Sequence, residues 1–195
     1  MSDDRTDLTR RALLLATAGL AVPASTIAGD PAPAPPAPAP AAAPGAEGKP
    51  GQFDFLTGSW NIQNRRLKAP GVWDEFPGES TCWSVMGGHG SIEDLRIPAR
   101  DFAGLGIRLL DRERKLWTDF FVNVRSGVLA PPPITGRLVD GVFLFEAEDE
   151  DAGQKVLFRS VWDRITKTSC RWYQTSSKDG GKTWVDDWVM AWTRK

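Results

Sequence analysis

The sequence predicts an all-β fold, a single antiparallel barrel of eight to ten strands built from residues 51–195. Three observations predict it. Short runs rich in Val, Ile, Phe, Trp and Thr recur after residue 50, broken by Gly, Pro, Asp and Asn at hairpin spacing. Helical signals are scarce and no crossover helix is available, so successive strands must pair as a meander. A meander of this size exposes two sheet edges unless it closes on itself, and a barrel removes both.

A helical turn is predicted at Phe53–Leu56. Strands are predicted over 59–68, 80–86, 91–97, 104–110, 115–124, 134–139, 142–148, 154–163, 168–176 and 183–193. Gly, Pro and acidic clusters punctuate them, notably Gly87-Gly88-His89-Gly90, Pro131-Pro132-Pro133, Asp140-Gly141 and Lys178–Gly181.

Two segments precede the domain. Arg10 and Arg11 stand directly before an apolar stretch from Ala12 to about Ala24, followed by small residues at Ala24 and Ala28. The stretch is about 13 residues long, short of the ~20 that span a bilayer. Residues 1–30 therefore read as a twin-arginine signal peptide and place the protein in the periplasm or outside the cell. The alternative is a basic signal of the general secretion route. Residues 31–50 hold eight Pro and eight Ala among 20 positions, which favours extended polyproline II. At ~3.1 Å per residue such a linker would reach roughly 60 Å, either as a stiff spacer or as a leader of no consequence.

Four of the 24 basic and five of the 25 acidic residues precede residue 51, so the domain carries 20 of each. A neutral domain lacks the basic face a nucleic-acid partner requires. No second apolar run approaches membrane-spanning length, so no transmembrane helix is expected in the mature form; the oligomeric state is left open. Cys82 and Cys170 have the option of pairing outside the cytoplasm, or of staying free if the chain folds before export. With one histidine and no Cys-x-x-Cys, no metal site and no cofactor are expected. The informative excess is aromatic: all nine Trp and nine Phe lie after residue 50, as an aromatic core or a lined cavity.

Ser177–Trp184 fits Ser-x-Asp-x-Gly-x-Thr-Trp and resembles the Asp-box hairpin of sialidase-type propellers. A single copy cannot build a propeller, so it is expected to staple a hairpin and implies no sialidase activity. Phe53-Asp54-Phe55-Leu56-Thr57-Gly58-Ser59-Trp60 carries a Gly-x-Trp that resembles the opening of lipocalin-like (calycin-type) barrels. With Gly104-x-x-x-Arg108-Leu109, Asp179-Gly180-Gly181-x-Thr183-Trp184 and the Thr193-Arg194 finish, residues 53–194 resemble an uncharacterised bacterial lipocalin-like family, a domain of unknown function. The resemblance implies a fold, a cavity and a cation–π contact of Arg194 over Trp60, without an agreed activity. Distantly related nitrobindin-like barrels hold haem through a histidine near the C-terminus, where this chain has none.

His89 is either a base or ligand on a loop at the barrel mouth, or a turn residue tolerant of unusual φ. Arg108 and Arg159 alternate with apolar or glycine neighbours at strand period. Inside a barrel they would need partners from Glu93, Asp94, Asp119 or Glu146 and would anchor a ligand's carbonyl or carboxylate; a slip of one residue turns them outward. Trp172 and Gln174 on one strand, with Asp186 and Trp188 on the next, form an aromatic box if the register aligns; Trp117 completes the candidate lining. No nucleophile elbow, His-Glu-x-x-His or phosphate-cradling loop occurs. The sequence thus points to a barrel that binds a small, largely apolar molecule. The alternative is a cofactor-free isomerase, cyclase or hydratase that polarises a carbonyl with Arg108 or Arg159 and moves protons with Glu93 or Asp119. A filled barrel without a ligand is the third reading.

Overall fold

The structure, a computed structural model, describes residues 45–129, 133–151 and 153–195, with Asp151 described for its backbone only. The predicted signal peptide, residues 31–44 of the Pro/Ala stretch and Pro131-Pro132 lie outside the described residues. Ten strands follow in order: β1 (Gly58–Ala69), β2 (Val72–Val85), β3 (Gly90–Ile97), β4 (Phe102–Asp111), β5 (Leu116–Asn123), β6 (Ile134–Val139), β7 (Val142–Asp151), β8 (Gln154–Asp163), β9 (Ser169–Ser177) and β10 (Val185–Arg194). Each pairs antiparallel with the next, and β1 pairs with β10, so the sheet closes into a barrel. The all-β closed antiparallel barrel is present, at the top of the anticipated strand count.

One strand is much longer than the sequence suggested. β2 begins at Val72 rather than near 80. Pro77 and Gly78 argue against a strand interior, yet they pair with Gln63 and Ile62 of β1. The β3 ladder begins only at Glu79 opposite Arg96, so Pro77 lies beyond it and its missing N–H removes no donor from that side.

Alternation sets the inner face. Trp60, Ile62, Asn64 and Arg66 are buried in turn along β1. Their cross-strand partners carry the inner row round the barrel, as where Trp60 faces Ser80 and Arg194. The β6–β7 turn is a two-residue one: Val139 pairs with Val142, and Asp140 and Gly141 take φ of +50° and +80°.

One end is closed by the segment before β1, which runs beneath the strands. The Ala46 N–H donates to the Leu138 carbonyl at 2.7 Å, Gly48 to Lys115 at 2.8 Å and Gly51 to Gly88 at 2.9 Å. The helical turn Asp54–Leu56 then lifts Phe53 and Leu56 into the core, where both are buried. Arg194 fixes this end. Its guanidinium carbon lies 4.2 Å from the Trp60 ring centroid, and its nitrogens donate to the carbonyls of Thr57 (2.7 Å), Phe55 (2.9 Å) and Lys167 (3.0 Å). Trp60 Nε1 donates to Leu56 O at 2.6 Å. The cation–π contact implied by the Gly-x-Trp resemblance is therefore formed.

The Ser177–Trp184 hairpin behaves as a staple. Asp179 Oδ1 accepts from Ser177 Oγ (2.8 Å) and from the Lys182 (3.0 Å) and Thr183 (2.9 Å) N–H groups, and Oδ2 accepts from Thr183 Oγ1 (2.6 Å). Gly180 and Gly181 take φ of +72° and +89°. The Thr183 hydroxyl bond above all holds the Asp179 carboxyl down at about 2.

Candidate functional site

The inner face divides into a sealed floor and an upper cup. The floor is charged. Arg108 on β4 lies opposite Ser91 of β3 and Asp119 of β5 and is 4% exposed. Its Nη2 donates to Glu93 Oε2 at 2.6 Å, and its Nε lies 3.8 Å from Asp119 Oδ1. The guanidinium is stacked between aromatic rings, its carbon 4.8 Å from the Trp162 centroid and 5.7 Å from that of Phe53. Gly106 makes room for the pair, since a Cβ there would meet Glu93 Oε2 at 3.0 Å.

Two carboxylates and one guanidinium leave this buried cluster one negative charge in excess when both acids are ionised. Burial, aided by Glu93 and opposed by Arg108, raises the Asp119 carboxyl to about 6. The two carboxylates outweigh burial at Arg108 and hold its proton more firmly than usual. Cys82 and Cys170 lie at the same end as free, buried thiols, each pushed up to about 12 by burial.

The cup lies above. Phe121 is two residues beyond Asp119 on the same inner face of β5, yet it is 37% exposed. Ile134, Phe158, Trp172 and Gln174 also face inward by register and are only partly buried. Among the described residues the β5–β6 ladder is short: Trp117, Thr118 and Asp119 pair with Gly136, Thr135 and Ile134. The chain leaving β5 exposes Val124, Val128 and Leu129.

The polar fittings of the cup are few. Trp172 Nε1 donates to Ser160 Oγ at 2.7 Å, and Trp188 Nε1 to Asn64 Oδ1 at 3.0 Å. The two indoles meet edge to face, centroids 5.7 Å apart. Asn64 is fully buried, and its Nδ2 has no hydrogen-bond partner.

The structure brings together most of the residues singled out from sequence. Arg108, Trp172, Gln174 and Trp188 face the interior, and Gln174 pairs with Trp188 as the box required. Trp117 is buried at the floor instead of lining the cup, donating from Nε1 to Gln52 Oε1 at 2.9 Å. Two further expectations are corrected. Arg159 faces outward, 2.9 Å from Glu146 Oε1 and stacked 3.9 Å from the Trp184 centroid. Asp186 is opposite outward Thr175, because the bulge between Asp186 and Trp188 inserts one residue and breaks the period-two count. His89 closes a turn at the sealed end, its Nδ1 2.9 Å from Met86 O, and is not at the mouth. Sequence reasoning missed Phe53, Phe121, Ile134 and Phe158; period-two counting from Asp119 or from Ser160 would have placed Phe121 and Phe158 inside.

Fold and site together define a closed antiparallel barrel with a plugged base, a buried aromatic cluster and inward side chains that are only partly buried. No protein-family model and no curated protein matches the chain. Among solved structures it is similar to a protein of unknown function of the DUF3598 family from Nostoc punctiforme PCC 73102, with a TM-score of 0.43, 15% identity and 76% of this chain covered. The match takes in 51% of that protein, so the chain spans about half its length. A second similar structure is an S-type phycobiliprotein lyase from Guillardia theta, with a TM-score of 0.47, 10% identity, and 73% of this chain and 90% of that one covered.

Proposed function

We propose that the barrel binds one small, largely apolar molecule in its upper cup. The observation that supports this is the partly exposed aromatic inner wall of Phe121, Phe158 and Trp172 above a buried charged floor. Apolar surface facing inward but wetted is stabilised by any apolar solute that displaces the water. Gln174, Ser160 and Asn64 supply the few polar contacts such sites use for orientation. We also assign the chain to the bacterial lipocalin-like family whose opening and closing motifs it shares, with Arg194 over Trp60 as support, and we place it outside the cytoplasm on the strength of Arg10-Arg11 and the apolar run that follows.

Titration with the neutral dye N-phenyl-1-naphthylamine tests the binding reading. Saturable fluorescence enhancement at one site, weakened by Phe121→Ala or Trp172→Ala, is the expected result. No saturable binding, together with no apolar compound recovered by mass spectrometry from protein purified from its native host, would overturn it. Replacing Arg10 and Arg11 by lysine is expected to retain the protein in the cytoplasm; unchanged fractionation refutes twin-arginine export.

A second reading keeps the same cup and makes it an acid–base site. The observation favouring it is Asp119, raised to about 6 and adjoining Arg108, the pairing a proton-transfer enzyme would need beside a polarised carbonyl. Proton exchange into a bound ketone, lost in Asp119→Asn, is its test.

A further inference from the structure

We propose that the molecule held in the cup carries a hydroxyl, an alcohol or phenol, seated between Asp119 and Arg108, and that the same floor rejects carboxylates. This rests on the binding reading above and specifies the chemistry of its deepest contact.

Three features of the floor lead there. Asp119 faces inward at the foot of the wall formed by Phe121 on its own strand and Ile134 opposite, and its side chain is 12% exposed. Among the described residues none donates it a hydrogen bond; its nearest cation is Arg108 Nε at 3.8 Å, an ion pair too long to be one. Arg108 is 4% exposed, and its Nε and Nη1 have no hydrogen-bond partner, since only Nη2 is taken, by Glu93. The floor thus presents an unpaired acceptor beside unpaired donors, both almost fully desolvated. Such groups discriminate strongly between partners that pair them and partners that do not.

Charge decides the class. An arginine alone would favour a carboxylate, one of the two groups, carbonyl or carboxylate, anticipated from sequence. Here Glu93 already neutralises Arg108, and Asp119 adds a further negative charge. A ligand carboxylate would be a third anion around one cation in a low-dielectric site. A hydroxyl oxygen accepts from Arg108 and donates its proton to Asp119, pairing both sides without adding charge. An ether accepts but cannot donate, and leaves Asp119 unpaired.

Competition against N-phenyl-1-naphthylamine at pH 8 tests this with a chain-matched panel of 1-dodecanol, dodecyl methyl ether and dodecanoate. The alcohol is expected to displace the dye at concentrations about tenfold lower than either of the others. In Asp119→Asn, checked for an intact thermal melt and with each competitor referred to the variant's own dye affinity, the alcohol's advantage over dodecanoate is expected to fall below about threefold. If the dye binds but dodecanoate or the ether competes as well as the alcohol, the hydroxyl assignment is overturned and the binding reading stands. If neither the dye nor any panel member binds the wild-type protein, both are overturned. The wild-type comparison decides the assignment even if the variant does not fold.

Discussion

Replacing Arg108 by Met is the most informative single perturbation of the fold. The guanidinium is 4% exposed and pairs with Glu93 at 2.6 Å, with Asp119 3.8 Å away. Met keeps the length and the contact with Trp162 but removes the only cation of the cluster. Breaking a buried pair from one side costs about 3–5 kcal/mol, because the remaining charge stays desolvated. Here two carboxylates remain, so the loss is expected at pH 8 and should shrink on acidification. The sign follows from Asp119. Its folded-state value lies above the unfolded 3.8 even with Arg108 present, and loss of Arg108 raises it further. A raised carboxyl takes up protons in the folded state first, so stability recovers as pH falls through that value toward the unfolded one. Each unit by which Arg108 had held Asp119 down returns about 1.4 kcal/mol. Urea unfolding of wild type and variant at pH 8, 6.5 and 5 measures the difference directly. A difference that stays constant across this range, or falls below about 1 kcal/mol at pH 8, would refute the reading of this cluster as a desolvated charge network.

Other outcomes follow from the same structure. Replacing the cluster whole, as Glu93→Leu, Arg108→Met and Asp119→Leu together, is expected to be neutral or stabilising at pH 8, in contrast to the single change, by the same unfolding assay. Arg159→Ala should cost less than about 1 kcal/mol and leave dye affinity unchanged, because that arginine is on the outer surface with Glu146 and Trp184. Gly136→Ala should cost about 1–3 kcal/mol in urea unfolding, since its Cβ would run into the Leu144 carbonyl and the Phe145 ring; Gly104→Ala should cost less, because only the tip of half-exposed Phe121 stands in its way. Asp179 acts with the opposite sign to Asp119. Its carboxyl is held at about 2, so its contribution is complete above 3.8 and fades as pH falls toward 2; Asp179→Asn should flatten that acid limb of a thermal-melt series.

The fold was legible because its signal is local and repetitive. Strands from β3 onward declare themselves by β-branched and aromatic residues between Gly and Asp turns, and the Asp140-Gly141 hairpin follows from its two residues alone. The first half of β2 was not, because Pro77 and Gly78 are penalised by rules that assume neighbours on both sides. Within the site, period two placed Arg108 inside correctly and Arg159 wrongly. The difference is not in their own neighbourhoods. Leu157 and Val161 share the outer face with Arg159, and Val161 is buried there, so the apolar pattern on β8 marks a covered exterior. The sense of Asp186 was lost to a bulge, which no periodicity contains. Asp119 stood in the sequence only as one acid among four; its role depends on a partner on β4 and on the short β5–β6 ladder, which are tertiary facts.

The seam between β1 and β10 has a kinetic consequence. Trp60 meets Arg194, and Phe55 and Thr57 are tied to the same arginine, so the base closes only when residues more than 130 positions apart along the chain find one another. Contacts of such separation carry a high loop-closure cost before they yield any return, which slows folding. Until β10 has left the ribosome, β1 and β9 present unpaired edges and the Phe53–Leu56 plug has nothing to seal. A nascent chain therefore keeps two unpaired edges until β10 has been made, and deleting β10 would leave an open sheet where the barrel should be.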